Sequence, residues 1–370
     1  MSAPTTFSVA TRVVSGPGCV ATLPDELAAL GGRRVAVVAD RGVDDAGLLA
    51  SVLAPVDPAR VAATVLVDPD PDVAAAERAA AAARAQGCDT VLAVGGGSAL
   101  GAAKAVAIRL TNDDRIDRYA GVGNVPHRPA PTLAVPTTAG SGSEVSQVLV
   151  LHEAGRAEEL VVRSPGCEPR TALLDGTVLR RLPHAPMLYA GLDALSHALE
   201  TQWARGASPY TRALGLAAAA TVIDRLPAAL AGTGSGRNAE GGHDAVLQDL
   251  LDAACAANMA CGNSGLTLVH ALSTAPSVHL PHGLQNGVLL PHVARFNAEV
   301  SEPAVADLVA ELPALYDAVG FAARFPAGTV GPDGAAAMVE ASTGHPFRRN
   351  NRREADDDQL RALLAAAGAG

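Results

Sequence analysis

The first half of the sequence alternates short apolar runs with segments of helical composition, and this alternation restricts the fold more than any other feature. The apolar runs occupy residues 34–39, 61–67, 90–94 and 132–135. The helical segments occupy residues 41–53, 73–85 and 99–109. Crossover helices bury both faces of a parallel sheet, so its strands are continuously apolar. The pattern therefore predicts an α/β domain built on a parallel sheet.

The second half of the sequence has helical patterns and few strand-like runs. The helical patterns lie at residues 194–203, 208–226, 245–260 and 265–275. Pro183 and Pro186 interrupt the chain between the halves. We therefore predict an α/β domain over residues 1–182 and an all-α domain over residues 183–370. Residues 232–242 are rich in glycine and polar residues, which predicts a flexible loop within the helical half.

Composition and charge argue against several classes of partner. With 370 residues, 49% of them hydrophobic, the chain can bury two cores without disulfides. The formal net charge of −10 argues against nucleic acid and anionic membrane surfaces, which attract clustered Lys and Arg. Five cysteines without a Cys-x-x-Cys pair indicate reduced thiols in the cytoplasm. We also expect no signal peptide in residues 1–14 and no transmembrane span, because no long apolar stretch lacks charges or helix breakers.

A glycine-rich turn follows the third apolar run and precedes a helix that contains Lys104. Its residues, Gly95, Gly96, Gly97 and Ser98, let the backbone approach a diphosphate, whose charge the free N–H groups at the helix start then bind. The same residues also suit a tight strand-to-helix turn without a ligand. The strand before and the helix after favour the cofactor-binding interpretation.

Asp40 ends the first apolar run, where an acidic side chain can accept hydrogen bonds from the adenosine ribose of a dinucleotide. Such a carboxylate repels a 2′-phosphate, so it favours NAD over NADP. Asp40 is equally well placed to cap the helix that follows it. A second loop of Gly, Ser and Thr, residues 135–145, follows the fourth run and suits a pyrophosphate and a nicotinamide ribose, or is an ordinary polar loop.

Four residues of the helical half form a candidate metal site. Asp193 and His197 are four residues apart in a helical segment, a spacing that puts both on one face. His270 lies in a second helical segment, and His282 in a Pro-His-Gly turn. One carboxylate and three imidazoles suit Fe²⁺ or Zn²⁺ better than Ca²⁺ or Mg²⁺. Each histidine alone is more simply explained as an ordinary core or surface residue.

Taken in order, these motifs resemble those of the iron-containing alcohol dehydrogenase family over nearly the whole chain. GGGSALGAAKA is similar to the family's glycine loop, and VPTTAGSGSEV to its PTTxGTGSEVT segment. GLDALSHALE is similar to its metal-binding helix, and LPHGLQNGVLLPHVARFN to its second metal-binding segment. The late NNRREADDDQLRALL resembles its C-terminal ending.

The resemblance implies a dinucleotide-binding domain, a helical metal-binding domain and an active site between them. It implies one divalent metal, Fe²⁺ in preference to Zn²⁺, bound by Asp193, His197, His270 and His282. It also implies NAD(H) contacts from residues of the first domain, namely Asp40, Gly96, Gly97, Ser98, Thr137, Thr138 and Ser143. Dimers are common in the family, so it further implies a homodimer.

The sequence departs from the family pattern at the substrate end. Gly101 stands where many members have Asp, which is similar to the maleylacetate reductase branch, although that branch tends to lack the aspartate found here as Asp193. Thr274 stands where many members have a further histidine, and the segment between His270 and His282 is two residues shorter than usual. We hypothesise that Thr274 or His279 relays a proton. The alternative for His279 is a histidine that faces solvent.

These features predict an NAD(H)-dependent, metal-dependent oxidoreductase that interconverts an alcohol and an aldehyde or ketone by hydride transfer. One alternative is a metal-independent ketone reductase similar to maleylacetate reductase, against which Asp193 argues. A second is a non-redox lyase of the dehydroquinate synthase type, which also combines NAD with a metal. The PTTAGSGSE and LPHG segments fit the dehydrogenase better. A third is a non-catalytic protein that only binds NAD or metal.

Overall fold

The computed structural model describes residues 5–152, 159–233 and 241–370. The chain forms two compact units. The first comprises the described residues of 9–182 and 239–252, and the second those of 1–8, 183–238 and 253–370. Residues 239–252 belong to the first unit because Gln248 is hydrogen-bonded to it. Gln248 Oε1 accepts a hydrogen bond from Gly176 N at 2.7 Å, and Gln248 Nε2 donates one to Leu174 O at 2.9 Å. The functional division predicted at residues 182 and 183 stays a prediction.

The first unit is built on a parallel sheet of six strands, in the order β1-β9-β6-β4-β2-β3. The strands are β1 Arg12–Ser15, β2 Val35–Asp40, β3 Val61–Val67, β4 Thr90–Gly95, β6 Thr132–Pro136 and β9 Thr171–Leu174. Strands β4, β6 and β9 are buried at every residue, as expected where helices cover both faces. The predicted α/β fold class is confirmed.

The strand order reverses beside β2. Its register pairs it with β3 on one side and with β4 on the other. Ligands of open parallel sheets bind at the carboxyl ends of the strands, where the order reverses. Asp40 and Gly95, the last residues of β2 and β4, lie at this position.

A second, three-stranded sheet lies in the same unit, and the sequence did not predict it. Its order is β5-β8-β7, with β5 Gly121–Val122, β7 Val148–Leu151 and β8 Leu160–Arg163. Strands β7 and β8 are antiparallel. Leu149 and Val162 are buried on its inner face, and Val150 and Val161 are exposed on the other.

The helices of the first unit follow the predicted segments with two corrections. They are α1 Leu23–Ala29, α2 Arg41–Asp45, α3 Leu48–Leu53, α4 Val73–Ala85 and α5 Gly97–Thr111. The single helix predicted after Asp40 is divided into α2 and α3, because Gly47 between them adopts a left-handed φ of +70°. Helix α5 starts at Gly97 rather than at Ala99, so Gly97 and Ser98 belong to its first turn.

The second unit is helical, and part of α8 belongs to the first unit. The remaining helices of the chain are α6 His184–Trp203, α7 Pro209–Ala231, α8 Gly241–Ser264, α9 Leu268–Leu272, α10 His282–Phe296, α11 Pro303–Ala318, α12 Pro332–Ser342, α13 Pro346–Asn350 and α14 Asp357–Ala366. Helix α9 is shorter than predicted because Gly265 adopts a φ of +73° and Thr267 is not helical. The loop predicted at residues 232–242 lies mostly outside the described residues.

The expectation of no membrane span stays a prediction, and the one candidate among the described helices, α7, contains Arg212, Asp224, Arg225 and Pro227. On length and composition alone, α7 is sufficient to cross a membrane. It packs against α6 and α11, and 44% of its apolar window is buried. Helices in the core of large proteins have the same composition as membrane spans.

Candidate functional site

Helices α6, α9 and α10 bring the four predicted metal ligands together. Asp193 and His197 lie one turn apart on α6, His270 lies in α9, and His282 is the first residue of α10. The start of α10 touches the backbone of α6, since a Cβ atom on Gly283 would lie 2.1 Å from the carbonyl oxygen of Tyr189. Glycine at position 283 therefore permits the approach that places His282 beside Asp193.

The three imidazoles face one carboxylate oxygen. Oδ1 of Asp193 lies 3.8 Å from His197 Nε2, 3.6 Å from His270 Nε2 and 3.8 Å from His282 Nε2. These three distances are too long for hydrogen bonds. Ligand atoms that share a four-coordinate ion at about 2.1 Å lie roughly 3.4 Å from one another. The arrangement therefore matches the ligands of one cation.

Asn286 provides a test of whether a cation fits these ligands. Its Nδ2 lies 2.8 Å from Asp193 Oδ1, 3.1 Å from His270 Nε2 and 3.0 Å from His282 Nε2. When Nε2 of each imidazole is unprotonated, these three atoms are all acceptors; an amide NH₂ has two protons and cannot satisfy them, whereas a cation can bind all three. The buried Oδ1 of Asn286 has no hydrogen-bond partner among the described residues. The donor set thus fits a metal ion.

Charges at the cluster also suit a cation. Burial alone would raise the pKa of Asp193, but the surrounding histidines hold this pKa well below its usual range, so the carboxylate is ionised. Burial lowers the pKa of His197 to about 4, which keeps its imidazole neutral. Burial opposes the charge on His270 as well, but Glu200 and Asp193 together raise its pKa to about 9. A metal ion must displace this proton to bind His270.

The cluster is open on one side. The side chains of Asp193, His197 and His270 are 10%, 8% and 5% exposed, whereas that of His282 is 51% exposed. A small ligand can therefore reach the cluster past His282 while the other three residues stay shielded from water.

Glu200 and Asn286 were not among the site residues predicted from the sequence. Glu200 is buried in α6, and His270 Nδ1 donates a hydrogen bond to its Oε2. Spacing could have revealed both, because Glu200 lies seven residues after Asp193 and Asn286 lies four residues after His282, and each spacing keeps a residue on the same helix face.

In the first unit, Asp40 contacts the glycine turn. Its side chain makes no capping bond to α2, the alternative considered from the sequence, and its Oδ2 accepts a hydrogen bond from Gly96 N at 2.6 Å. Burial raises the pKa of Asp40, and hydrogen bonds from the backbone of Gly96 and Ala99 oppose this rise. Asp40 and the glycine turn are therefore hydrogen-bonded to each other where the strand order of the sheet reverses.

The loop after β6 lies against the same turn. Thr137 N donates to Gly95 O at 3.0 Å, and a Cβ atom on Gly96 would lie 3.3 Å from the side chain of Thr138. Lys104 Nζ donates to Ser143 Oγ at 2.9 Å and to Val148 O at 2.8 Å. The predicted cofactor residues are therefore neighbours, with a buried lysine beneath them.

The two predicted proton-relay residues lie between α9 and α10. Thr274 is half-buried, and its Oγ1 donates to Ala271 O at 3.1 Å. His279 is exposed, and within the described chain it makes no hydrogen bond or ion pair. Nearby, Gln285 Nε2 donates to Leu280 O at 2.9 Å and so holds the shortened loop against α10.

Two family models match the chain. The first, described as iron-containing alcohol dehydrogenase, matches residues 10–176. The second, described as the C-terminal part of the Fe-containing alcohol dehydrogenase family, matches residues 187–368. The chain belongs to the iron-containing alcohol dehydrogenase family. The Asp193 and His270 cluster lies within the C-terminal match, and the Asp40 and Gly96 contact within the first.

Individual relatives agree with this family. The "Probable alcohol dehydrogenase EutG" of Escherichia coli K12 is 33% identical, over 98% of this chain and 94% of that protein. The "NAD-dependent methanol dehydrogenase" of Bacillus methanolicus is 30% identical, over 79% of this chain and 76% of its own length. The crystal structure of sulfoacetaldehyde reductase from Bifidobacterium kashiwanohense with NAD⁺ has a TM-score of 0.89 and 26% identity, covering 99% of each chain.

Proposed function

We propose that this iron-containing alcohol dehydrogenase interconverts a small alcohol and its aldehyde or ketone by hydride transfer to or from NAD(H), with one divalent metal. The observation that carries the proposal is the convergence of three imidazole Nε2 atoms on Asp193 Oδ1 at 3.6–3.8 Å. Family membership supports the dehydrogenase over the lyase and the non-catalytic protein, and the presence of Asp193 in the cluster supports it over the metal-independent reductase.

In this proposal Asp193, His197, His270 and His282 hold the metal. One carboxylate and three imidazoles favour Fe²⁺ or Zn²⁺, and the family name favours Fe²⁺. When bound, the cation supplies a Lewis acid that polarises the substrate oxygen. The ionised carboxylate of Asp193 offsets part of the metal's charge, and the neutral imidazole of His197 offers its lone pair.

The first unit would bind the cofactor, which carries the hydride chemistry. The proposed contacts are Asp40, Gly95, Gly96, Gly97, Ser98, Thr137, Thr138 and Ser143. The backbone of the glycine turn and the start of α5 provide N–H groups for a pyrophosphate. The carboxylate of Asp40 provides an acceptor for ribose hydroxyls and disfavours a 2′-phosphate.

Thr274 and His279 are the proposed proton-relay residues. Each lies in the segment between two ligand-bearing helices, and His279 is exposed, so it can exchange protons with solvent. General acid–base groups of this kind typically contribute about 10²- to 10⁴-fold to a rate.

The organisation of the chain is also part of the proposal. We infer that residues 1–182 act as the NAD-binding domain and residues 183–370 as the helical catalytic domain, in a cytoplasmic homodimer. The net charge of −10 supports a protein that binds neither nucleic acid nor an anionic membrane.

The proposal is tested by NADH oxidation with a panel of small aldehydes and ketones. The full chain is assayed as purified, after chelation, and after Fe²⁺ or Zn²⁺ is restored. We expect turnover that chelation abolishes and metal restores. Turnover that survives complete metal removal would instead indicate a metal-independent ketone reductase, and NADH binding without turnover would contradict the proposal in favour of the lyase or the non-catalytic protein.

A further inference from the structure

Glu200 is an acidic side chain buried in α6. It is 0% exposed, and a carboxylate removed from water is costly unless hydrogen bonds replace its hydration. Both carboxyl oxygens of Glu200 accept hydrogen bonds, Oε1 from the start of α9 and Oε2 from the ring of His270. Its hydrogen-bond partners therefore indicate why the fold retains a charge there.

One oxygen of Glu200 binds the start of α9. Oε1 accepts hydrogen bonds from Thr267 N at 2.9 Å, Thr267 Oγ1 at 2.7 Å and Val269 N at 2.9 Å. Helix α9 has five residues, and its N-cap residue, Thr267, makes no side-chain capping bond. The carboxylate from α6 satisfies N–H groups that a helix start otherwise leaves free, and so fixes the position of α9.

The other oxygen of Glu200 binds the imidazole of His270. Nδ1 of His270 donates a hydrogen bond to Oε2, so a neutral ring carries its proton on Nδ1. Nε2 is then the lone-pair atom, and it is the nitrogen that lies 3.6 Å from Asp193 Oδ1. A carboxylate behind a ligating histidine fixes the tautomer and ring orientation and makes the ligand more basic.

We propose that Glu200 is a positioning residue that aims Nε2 of His270 at the metal and thereby sets the affinity of the cluster for a divalent cation. This inference rests on the proposed function, because it assumes that the cluster binds a metal. A single carboxylate fixes both the helix that carries His270 and the ring of His270, so it acts on one ligand at two points.

The variant that tests this role is Glu200→Gln. Its amide oxygen can still accept bonds from the start of α9, but its NH₂ group would face Nδ1–H of His270, donor against donor. Thr267→Val is the matched control, because it removes one bond to the same carboxylate and leaves the contact with His270 intact. Asp193→Asn alters a proposed ligand and shows whether the cluster binds metal at all.

Zn²⁺ affinity is measured for each full-length variant by competition with a chromophoric chelator, and folding is checked by circular dichroism. We expect Glu200→Gln to weaken Zn²⁺ binding by about 10- to 100-fold and Thr267→Val to weaken it by less than about threefold. If Glu200→Gln binds Zn²⁺ with wild-type affinity while Asp193→Asn binds it more weakly, the proposed role of Glu200 is overturned and the metal site is not. Unchanged affinity in Asp193→Asn would overturn the metal site.

A measurement on the wild-type protein covers the case in which Glu200→Gln does not fold. Nitrogen-labelled histidine in the Zn²⁺-loaded protein reports the protonation of each ring nitrogen, and His270→Ala assigns the signal. We expect His270 to be protonated at Nδ1 and to bind Zn²⁺ through Nε2. Binding through Nδ1, or a proton on Nε2, would overturn the inference.

Discussion

A Cβ atom added to Gly95 would lie 2.3 Å from Oδ2 of Asp40. Real Cβ atoms do not approach another heavy atom so closely, and Gly95 also has a φ of +151°, which L side chains rarely adopt. The end of β4 must therefore be glycine for Asp40 to lie against the turn and accept the bond from Gly96 N.

Gly95→Ala is expected to displace Asp40 and weaken NADH binding by about tenfold or more, a loss of about 1.4 kcal/mol. Fluorescence titration with NADH measures the loss. Gly101→Ala is the matched control, because a Cβ atom there meets only Val150 O at an ordinary 3.7 Å. Wild-type affinity for NADH in both variants would show that the turn does not bind the cofactor.

Asp40→Asn should change the choice of cofactor. Asparagine can still accept the hydrogen bond from Gly96 N but no longer repels a 2′-phosphate. We expect the ratio of NADH to NADPH affinity to fall by about tenfold, measured by titrating each nucleotide. An unchanged ratio would show that Asp40 does not contact the adenosine ribose.

Lys104 is the only lysine in the sequence, so its titration can be followed without overlap. Burial lowers its pKa from 10.5 to about 7. Between these values Lys104 is protonated in the unfolded chain but not in the folded protein, so its contribution to the free energy of unfolding rises with pH. One such proton gives a slope of up to about 1.4 kcal/mol per pH unit.

Lys104→Met should flatten this slope between about pH 7 and pH 10, as measured by urea unfolding at several pH values. The contribution of Lys104 to the slope vanishes below about pH 7, where the lysine is protonated in both states. Isotope-labelled lysine gives the pKa directly by NMR. A lysine signal that titrates near 10.5 in the folded protein would contradict the prediction.

Two substitutions distinguish between the proposed proton-relay residues, Thr274 and His279. Thr274→Val removes the hydroxyl and keeps the shape, whereas His279→Ala removes an exposed imidazole. We expect the variant at the true relay position to lower kcat by about 10²-fold or more while KM changes little. Wild-type kcat in both variants would exclude both residues as relays.

The sequence predicted the parts of the structure that follow a regular period. Val61–Val67 and Val73–Ala85 are observed at the predicted residues. The two-residue strand Gly121–Val122 was missed because a segment so short has no period. Helix α9 was predicted too long because the left-handed Gly265 delays its start.

The metal cluster was also predicted only where its residues follow a helical period. Asp193 and His197 were found because their spacing of four residues marks one helix face. Glu200 shares the helix face of Asp193, but the sequence gives no sign of its partner at Thr267, which is 67 residues away. Contacts between distant segments are set by helix packing, which the sequence pattern does not record.

Metal content is the most direct test of the proposed metal site. Elemental analysis of the wild type, His270→Ala and His184→Ala compares a proposed ligand with an exposed histidine on α6, the helix of His197. We expect about one iron or zinc ion per chain in the wild type and in His184→Ala, and loss of both metal and NADH oxidation in His270→Ala. An active wild-type enzyme without bound metal, or His270→Ala with full metal content, would contradict it.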